Sequence, residues 1–392
     1  MLMTKKIRLK PTHEQEILFH KSAGAARWAY NYCLSEKERV YKEYLDAGKT
    51  GKKTISEGEI RKYINNTLKP TTHTLLKEVG SNVMKQAVKN ADLAYKNYFR
   101  GLSGKPRYKS KKHSKLSFYV NYESLTKKNG GFHGEKIGFV KTSEPLPILH
   151  DKEKYSNPYV SYDGKYWYLS VGYEVPAEAV ELTSESIGID LGIKDLAVCS
   201  NGNVYKNINK TKRVKQLKRK LKREQRKFSG MMENNIDHYV GNHKPVFKKP
   251  LIACKNIQKQ KHRIELIHRQ ITNIRNNYIH QTTTEIVKTK PSRVVMETLN
   301  VTGMMKNKHL AKAIAEQKFY EFKRQIQYKC ERFGIKFIEA DRFYPSSKTC
   351  SVCGGIKKDL KLSDRVYHCE NCGAVIDRDL NAAINLANYK SA

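Results

Sequence analysis

Four cysteines near the end of the sequence, Cys350, Cys353, Cys369 and Cys372, form the pattern C-x2-C-x15-C-x2-C. Two thiolate pairs, each on a tight turn, offer four soft ligands in a tetrahedron, the arrangement Zn²⁺ prefers. Four sulfur ligands leave no position for water, so a metal held this way is structural. Chance spacing or a redox dithiol is the weaker alternative. Cys33, Cys199, Cys254 and Cys330 are scattered singly and read as small buried hydrophobes.

Three carboxylates stand out by position. Asp190 ends an apolar run in Gly188-Ile189-Asp190-Leu191-Gly192, where glycines permit close approach of a ligand or of backbone. Glu297 ends a second apolar run, Val294-Val295-Met296-Glu297, and Asp379 opens the helix-like Leu380–Leu386. Singly, Asp190 suits a turn cap, Glu297 a solvated strand end and Asp379 a helix N-cap. Together, acids at two strand ends and one helix start are what an oxygen-ligand site for two Mg²⁺ (or Mn²⁺) ions needs. Such a pair, about 3.5–4 Å apart, activates a water and stabilises the leaving oxygen of a phosphodiester. No competing catalytic pattern is present: the chain has no Gly-Lys-Ser/Thr phosphate loop, no G-x-S-x-G and no H-E-x-x-H. The 13 histidines lack ligand spacing, and His238 and His243 read as surface residues.

The charge points the same way. Lysine and arginine number 75 against 38 acids, a net charge of +37. An excess of this size repels itself unless a polyanion neutralises it, which favours nucleic acid over a membrane surface. Residues 206–227 carry twelve Lys/Arg and one acid, a long basic helix. Lys212, Arg213, Lys215, Lys218, Arg219, Lys222 and Arg223 are its candidate RNA or heteroduplex backbone contacts. Lys105, Arg107 and Lys109, in a basic Gly-punctuated stretch, are further candidates. Ser346–Ser347 and Lys357–Lys358 flank the cysteines and suit either backbone contact or a plain surface.

The elements that must position these groups can be sketched from periodicity. At 392 residues, two or three domains are expected. Residues 4–10 alternate as a strand. Thr12 and Gln15 resemble a capping box before a helix with Ile17, Leu18, Ala25, Trp28, Ala29 and Tyr32 on one face. A polar loop at 47–57 and a helix at 79–99 follow. From 101 to 182 the pattern is an antiparallel β module, with 159–162 and 166–171 joined at Asp163–Gly164. The N-terminal strand would complete it as a small barrel. Residues 186–198 read as two strands with a turn at Asn201–Gly202, 257–289 as a second long helix, and 229–256 as an irregular insertion. Strands at 293–296 and 336–340 with a helix at 310–333 between them argue for an α/β domain. No window is apolar enough for a membrane span, and the start lacks the apolar run of a secretory leader; a prokaryotic cytosolic, nucleoid-associated protein is expected.

"KIRLKPTHEQ", "GKPRYKSKK", "GIDLGIKDLAVCSNG", "VVMETLNVTGMMKN", "SSKTCSVCG…CENCG" and "DRDLNAAINLA", in this order, resemble the TnpB family. These are transposon-encoded RNA-guided DNA endonucleases similar to compact type V CRISPR effectors. The resemblance spans nearly the whole chain and implies an α+β multidomain fold. A wedge-like β-barrel (1–10 and 101–182) would be interrupted by a helical recognition lobe (11–100). A RuvC-like nuclease domain of RNase H fold (183–346 and 377–392) would carry a zinc-ribbon insertion (347–376). The family's three acids map to Asp190, Glu297 and Asp379, with Asp377 kept as a supporting residue. Their presence counts against the cleavage-inactive, regulatory members.

The resemblance further implies a guide RNA made from the transposon end and a double-stranded DNA target beside a short flanking motif. Base pairing would read the sequence, and protein the flanking motif. One protein, or a weak dimer, is expected per RNA. The motif-reading residues should lie in the first 120, with Tyr119–Tyr122 as weak candidates. The alternatives are a guided DNA-binding regulator that does not cut and a transposase accessory protein. A self-sufficient strand-joining transposase lacks a convincing Tyr or Ser nucleophile here.

Overall fold

The alternation of the first residues becomes strand β1 (Leu2–Lys10), which buries Ile7 and Leu9 and exposes Lys6, Arg8 and Lys10. The structure, a computed structural model, describes residues 1–390 apart from 112, 126–129, 150–153, 177, 179 and 362–363. Lys112, the last residue of "GKPRYKSKK", therefore lies outside the described residues. The chain divides into two compact units, 2–175 and 176–392.

In the first unit the capping box forms as expected: Gln15 N donates to Thr12 Oγ1 (3.3 Å) and Thr12 N to Gln15 Oε1 (3.1 Å). It starts α1 (His13–Asp46), followed by α2 (Glu57–Tyr63) and α3 (Ser81–Phe99). The buried face of α1 differs from the expected one. Ile17 is exposed, while Phe19, Ala23, Ala29, Cys33 and Leu34 are buried. The helix is turned so that the Phe19 ring meets Trp167 (centroids 5.1 Å apart) and Phe118 (5.6 Å).

The β module comprises β2 (Ser117–Tyr119), β3 (Gly131–Gly134), β4 (Gly138–Thr142), β5 (Ser156–Tyr162) and β6 (Trp167–Glu174). Together with β1 they form one antiparallel sheet in the order β2-β5-β6-β1-β4-β3. The N-terminal strand is central to it. Among the described residues the sheet does not close; it is a half-barrel with β2 and β3 at its edges.

The second unit is built on a five-stranded sheet, β13-β12-β7-β8-β9. Its first three strands in sequence are β7 (Ser186–Leu191), β8 (Asp195–Cys199) and β9 (Val204–Lys206). A helical hairpin follows, α4 (Lys212–Asn234) and α5 (Lys255–Lys288), tipped by the strands β10 (Ile236–Val240) and β11 (Lys244–Phe247). Then come β12 (Arg293–Glu297), α6 (Val301–Met304), α7 (Ala311–Gln317), α8 (Phe319–Arg332) and β13 (Lys336–Ala340). The chain ends in β14 (Val366–His368), β15 (Val375–Asp377) and α9 (Arg378–Ala387). β12 runs parallel to both β7 and β13, whereas β7-β8-β9 is an antiparallel meander.

Three expectations are corrected here. The basic helix begins at Lys212, not 206, because Asn207 Oδ1 accepts from Asn209 N (2.9 Å) and bends 208–210 into a short 3₁₀ turn first. The 229–256 stretch is not irregular. α4 runs through Gly230 to Asn234, and a β-hairpin turns at Asn242 and His243, both in the left-handed region (φ 55°). The helix expected at 310–333 breaks at Lys318 (φ 56°), where the side chain of buried Gln317 turns inward and donates to Gly192 O (2.9 Å) and Ile193 O (3.2 Å).

Candidate functional site

Register brings the first two carboxylates together. β12 pairs with β7 from Arg293↔Ser186 to Met296↔Ile189, so the next rung sets Glu297 beside Asp190 at the strand ends. The third acid arrives on α9, which lies directly on β7. A Cβ added to Gly188 would stand 2.0 Å from Ala383 O and 2.3 Å from Ala387 N, so only glycine admits the helix this close. The close approach foreseen for Gly188 is therefore to backbone.

The far end of α9 is clamped to the sheet. Ser186 Oγ and Arg293 Nη2 each donate to Ala387 O (2.7 Å), and Arg293 Nη1 donates to Tyr389 O (3.2 Å). Carbonyls that a helix end leaves unpaired are thereby satisfied by a cation suited to its dipole.

At its start α9 is capped by Asp377, not by Asp379. Asp377 Oδ1 accepts from Asp379 N (3.0 Å) and Leu380 N (3.1 Å). Asp379 in the first turn thus keeps its carboxylate free of capping duty, with Arg365 Nη1 4.0 Å away. Asp377 is the last residue of β15, and its carboxylate is spent on the cap.

The electrostatics mark the three acids as one cluster. Burial first, then the charges of Glu297 and Asp379, push Asp190 well above the usual carboxylate range. Glu297 is raised to about 7 by burial, with Asp379 adding to the rise while the Leu191 N–H and Arg378 oppose it. Burial and the neighbouring charges thus raise the cost of ionising Asp190 and Glu297, a cost that a hard divalent cation bound through oxygen would offset.

The thiolate cluster stands beside the same helix. The four Sγ atoms all lie within 4.8 Å of one another, with Cys350–Cys372 at 3.7 Å and Cys353–Cys369 at 3.5 Å. A tetrahedron of about 2.3 Å Zn–S bonds has edges of about 3.8 Å, so the residues fit Zn²⁺. The two knuckles repeat one design. Gly354 N donates to Cys350 O (2.9 Å) and Gly373 N to Cys369 O (3.0 Å), each glycine at positive φ (74° and 71°). The backbone N–H of Cys372 pulls the Cys369 thiol down to about 6. Against the pull of the Ala374 N–H, hydrogen bonds from the neighbouring cysteines push Cys372 up to about 12, so the first proton leaves from Cys369. Tyr367, buried between the knuckles, donates to Lys348 O (3.0 Å).

Side chains not foreseen from sequence join this ribbon to the helix. Asn381 Nδ2 donates to Thr349 O (2.7 Å), and Asn381 Oδ1 accepts from Ser351 N (2.9 Å). Asn385 Nδ2 donates to Ser346 O (2.8 Å) and Thr349 O (2.6 Å). The available signal was two asparagines four apart on the helix face that also carries Ala382 and Leu386. Ser346 is a buried part of this joint, and Lys357 pairs with Glu370 (3.0 Å).

The basic candidates separate by exposure. Lys212, Arg213, Lys215, Arg219, Lys222 and Arg223 are exposed along α4. Lys218 is half-buried and bound to Glu316 (2.6 Å), which also meets Arg275 (3.3 Å), so its charge is already answered. Arg219, Lys222, Arg275 and Lys312 line a groove of about 570 Å³ beside that pair. In the other unit Lys105 reaches Glu38 (3.3 Å), Lys109 Nζ lies 3.8 Å from the Tyr30 ring centre, and Arg107 is exposed. Tyr119 and Tyr159 pair edge to face across β2 and β5 at 5.6 Å.

The family described as "Probable transposase" (OrfB of IS605) matches residues 170–308, its "Helix-turn-helix domain" residues 1–46, and the "Cas12f1-like, TNB domain" residues 319–386. Over these residues the chain is similar to the TnpB/IS605 OrfB family. Among its relatives is a Streptomyces pristinaespiralis protein named "Putative RNA-guided DNA endonuclease", 29% identical over 97% of this chain and 87% of that one. "Putative RNA-guided DNA endonuclease InsQ" of Escherichia coli K12 is 26% identical over 97% and 90%. The fold is similar to that of the protein in a Cas12f1–sgRNA–target DNA complex, with a TM-score of 0.56, 15% identity and 99% of both chains covered. Residues 1–46 of this chain fold as a strand and a single long helix. No helix among the described residues is long and apolar enough to cross a membrane.

Proposed function

We propose that this chain is an RNA-guided DNA endonuclease of a transposable element, working with a guide RNA from the element's end on double-stranded DNA in the prokaryotic cytosol. The observation that carries the reading is the convergence of Asp190, Glu297 and Asp379 from two adjacent strands and one helix. Residues 183–346 and 377–392 then form the RuvC-like nuclease domain, and 347–376 its zinc ribbon. The half-barrel strands in 1–10 and 101–182 act as the wedge, and 11–100 as the recognition lobe.

In the nuclease site the three carboxylates would hold Mg²⁺, or Mn²⁺ in its place, and the bound charge would activate an attacking water and stabilise the departing oxygen. Asp190 and Glu297 are fixed by the sheet, and Asp379 by the capped first turn of α9. Arg378, whose charge offsets those of Asp190 and Glu297, keeps the cluster from excessive repulsion before substrate arrives. The exposed cations of α4 neutralise phosphates of the RNA or heteroduplex, releasing counterions. Cys350, Cys353, Cys369 and Cys372 hold the structural Zn²⁺.

The test is Glu297→Ala in the purified protein–RNA complex. Guide RNA binding should be retained and cleavage of a matched target abolished. Cleavage at the wild-type rate would refute the assignment of the site, and a wild-type complex that binds matched DNA without cutting would favour the regulator.

A further inference from the structure

The three acids are not held alike. Asp190 and Glu297 ride on neighbouring strands of one sheet, whereas Asp379 rides on the first turn of α9. The last turn of α9 is pinned to that sheet through Gly188, Ser186 and Arg293. Its first turn is held from the ribbon. β15 passes into α9 without an intervening residue, which gives one covalent attachment. Asn381, in the first turn, gives the second through two hydrogen bonds to Thr349 O and Ser351 N. Asn385, one turn further on, adds two to Ser346 O and Thr349 O, so that the backbone around Cys350 is tied to α9 by four hydrogen bonds. Both asparagines are buried, at 0% and 5% exposure. Replacing them would remove the side-chain partners of Ser346 O in a buried hydrogen bond and of Thr349 O and Ser351 N in part-buried ones, which costs stability.

We propose that Asn381 and Asn385 are positioning residues that transmit the state of the cysteine knuckle to Asp379, so that divalent-cation affinity at the carboxylate cluster depends on zinc occupancy of the thiolates. The inference rests on the reading of Asp379 as a cation ligand. With zinc bound, the Cys350 knuckle is fixed, Thr349 O and Ser351 N are fixed with it, and the first turn of α9 has one position. Without zinc, the knuckle loses its cross-link and the asparagines anchor Asp379 to a moving support. The two sites become coupled, and coupling between binding equilibria is reciprocal.

The experiment measures Mn²⁺ binding to the full-length protein by electron paramagnetic resonance of free Mn²⁺, zinc-loaded and zinc-stripped, with Asp190→Ala defining the signal outside the cluster. In the wild type, stripping zinc should weaken Mn²⁺ binding about tenfold, within the range usual for coupled sites. The zinc-loaded Asn381→Ala/Asn385→Ala variant should be weakened already, and stripping should add less than about twofold. By reciprocity, saturating Mn²⁺ should slow zinc extraction by a chromogenic chelator in the wild type and leave it unchanged in the variant. Asn385→Ser, which keeps a short polar side chain, supplies the measurement if the double variant fails to fold, with an intermediate loss expected. Wild-type Mn²⁺ affinity unchanged by zinc removal, or a variant that responds as the wild type does, overturns the proposal. If Asp190→Ala binds Mn²⁺ as tightly as the wild type, the carboxylate reading itself falls, and the proposal with it.

Discussion

The cysteine cluster and the three carboxylates both bring acidic side chains together, and they differ in almost every other respect. The thiolates come from two identical knuckles within 23 consecutive residues, packed around their own small core of Cys350, Tyr367 and Cys369. The carboxylates come from positions spread over nearly half the chain, and only the fold makes them neighbours. Four soft ligands would close a metal's coordination shell, whereas three hard ones would leave positions for water and a phosphate. The lesson is a division of labour: a closed local site can serve as a support, while an open site needs supports from several elements. α9 is where they meet, with Asp379 on its first turn and the ribbon bonded to Asn381 and Asn385.

That contrast can be broken at several points. The largest effect is expected from Asp379→Ala, which should lower the rate of target cleavage by at least about 10³-fold without loss of guide RNA, because an open site cannot replace a lost anionic ligand. Gel-resolved cleavage under single-turnover conditions measures it. Cys350→Ser should act through folding, since binding energy at a structural zinc is folding energy. Zinc content should drop below one per chain, and limited proteolysis should cut within 347–376 while 2–175 stays intact.

Neutralising Arg219 and Lys222 together should lower the salt slope of RNA binding by about 1.4–1.8, the contribution of two phosphate contacts. Lys218→Ala should leave the slope unchanged and lower the melting temperature, since Lys218 serves Glu316. Equal slopes for all these variants in a salt titration would make α4 a solvated face.

A smaller effect lies in the packing of α5 on α8. Lys329, 6% exposed, donates to His280 O (2.9 Å), Thr283 Oγ1 (2.6 Å) and Thr284 Oγ1 (2.8 Å), and burial pulls its amine down to about 8. Its unfolded value is about 10.4, so between these pH values the unfolded chain binds more protons and stability rises with pH. Below the folded value the cost of burying the charge is fully present. Lys329→Met should therefore gain about 1 kcal/mol at pH 7 and lose the rise between pH 8 and 10, in thermal melts across that range. Smallest is Asp377→Ala, which should cost about 1 kcal/mol of stability through the lost cap and reduce cleavage far less than Asp379→Ala.

How much of this was legible in the sequence follows the same contrast. The knuckles could be read from spacing because every determinant is local. The strand ends bearing Asp190 and Glu297 could be read because apolar runs announce buried strands. The joint through Asn381 and Asn385 could not, because a hydrogen bond to a backbone carbonyl some 30 residues away leaves no periodic trace. The break at Lys318 was missed for a similar reason: Gln317 is pulled inward by Gly192 O and Ile193 O, a tertiary contact that overrides a continuous helical pattern. The tip hairpin hid behind Pro245 and Pro250, which read as loop, although an exposed two-stranded hairpin tolerates proline.

The most direct test of the central claim is cleavage of a matched linear duplex by the purified complex carrying its co-purified, sequenced RNA. With Mg²⁺ the wild type should cut at a defined distance from the flanking motif, and the Asp190→Ala complex should bind the same duplex and leave it whole. A wild-type complex that binds and never cuts, or an Asp190→Ala complex that cuts as well as the wild type, would contradict it.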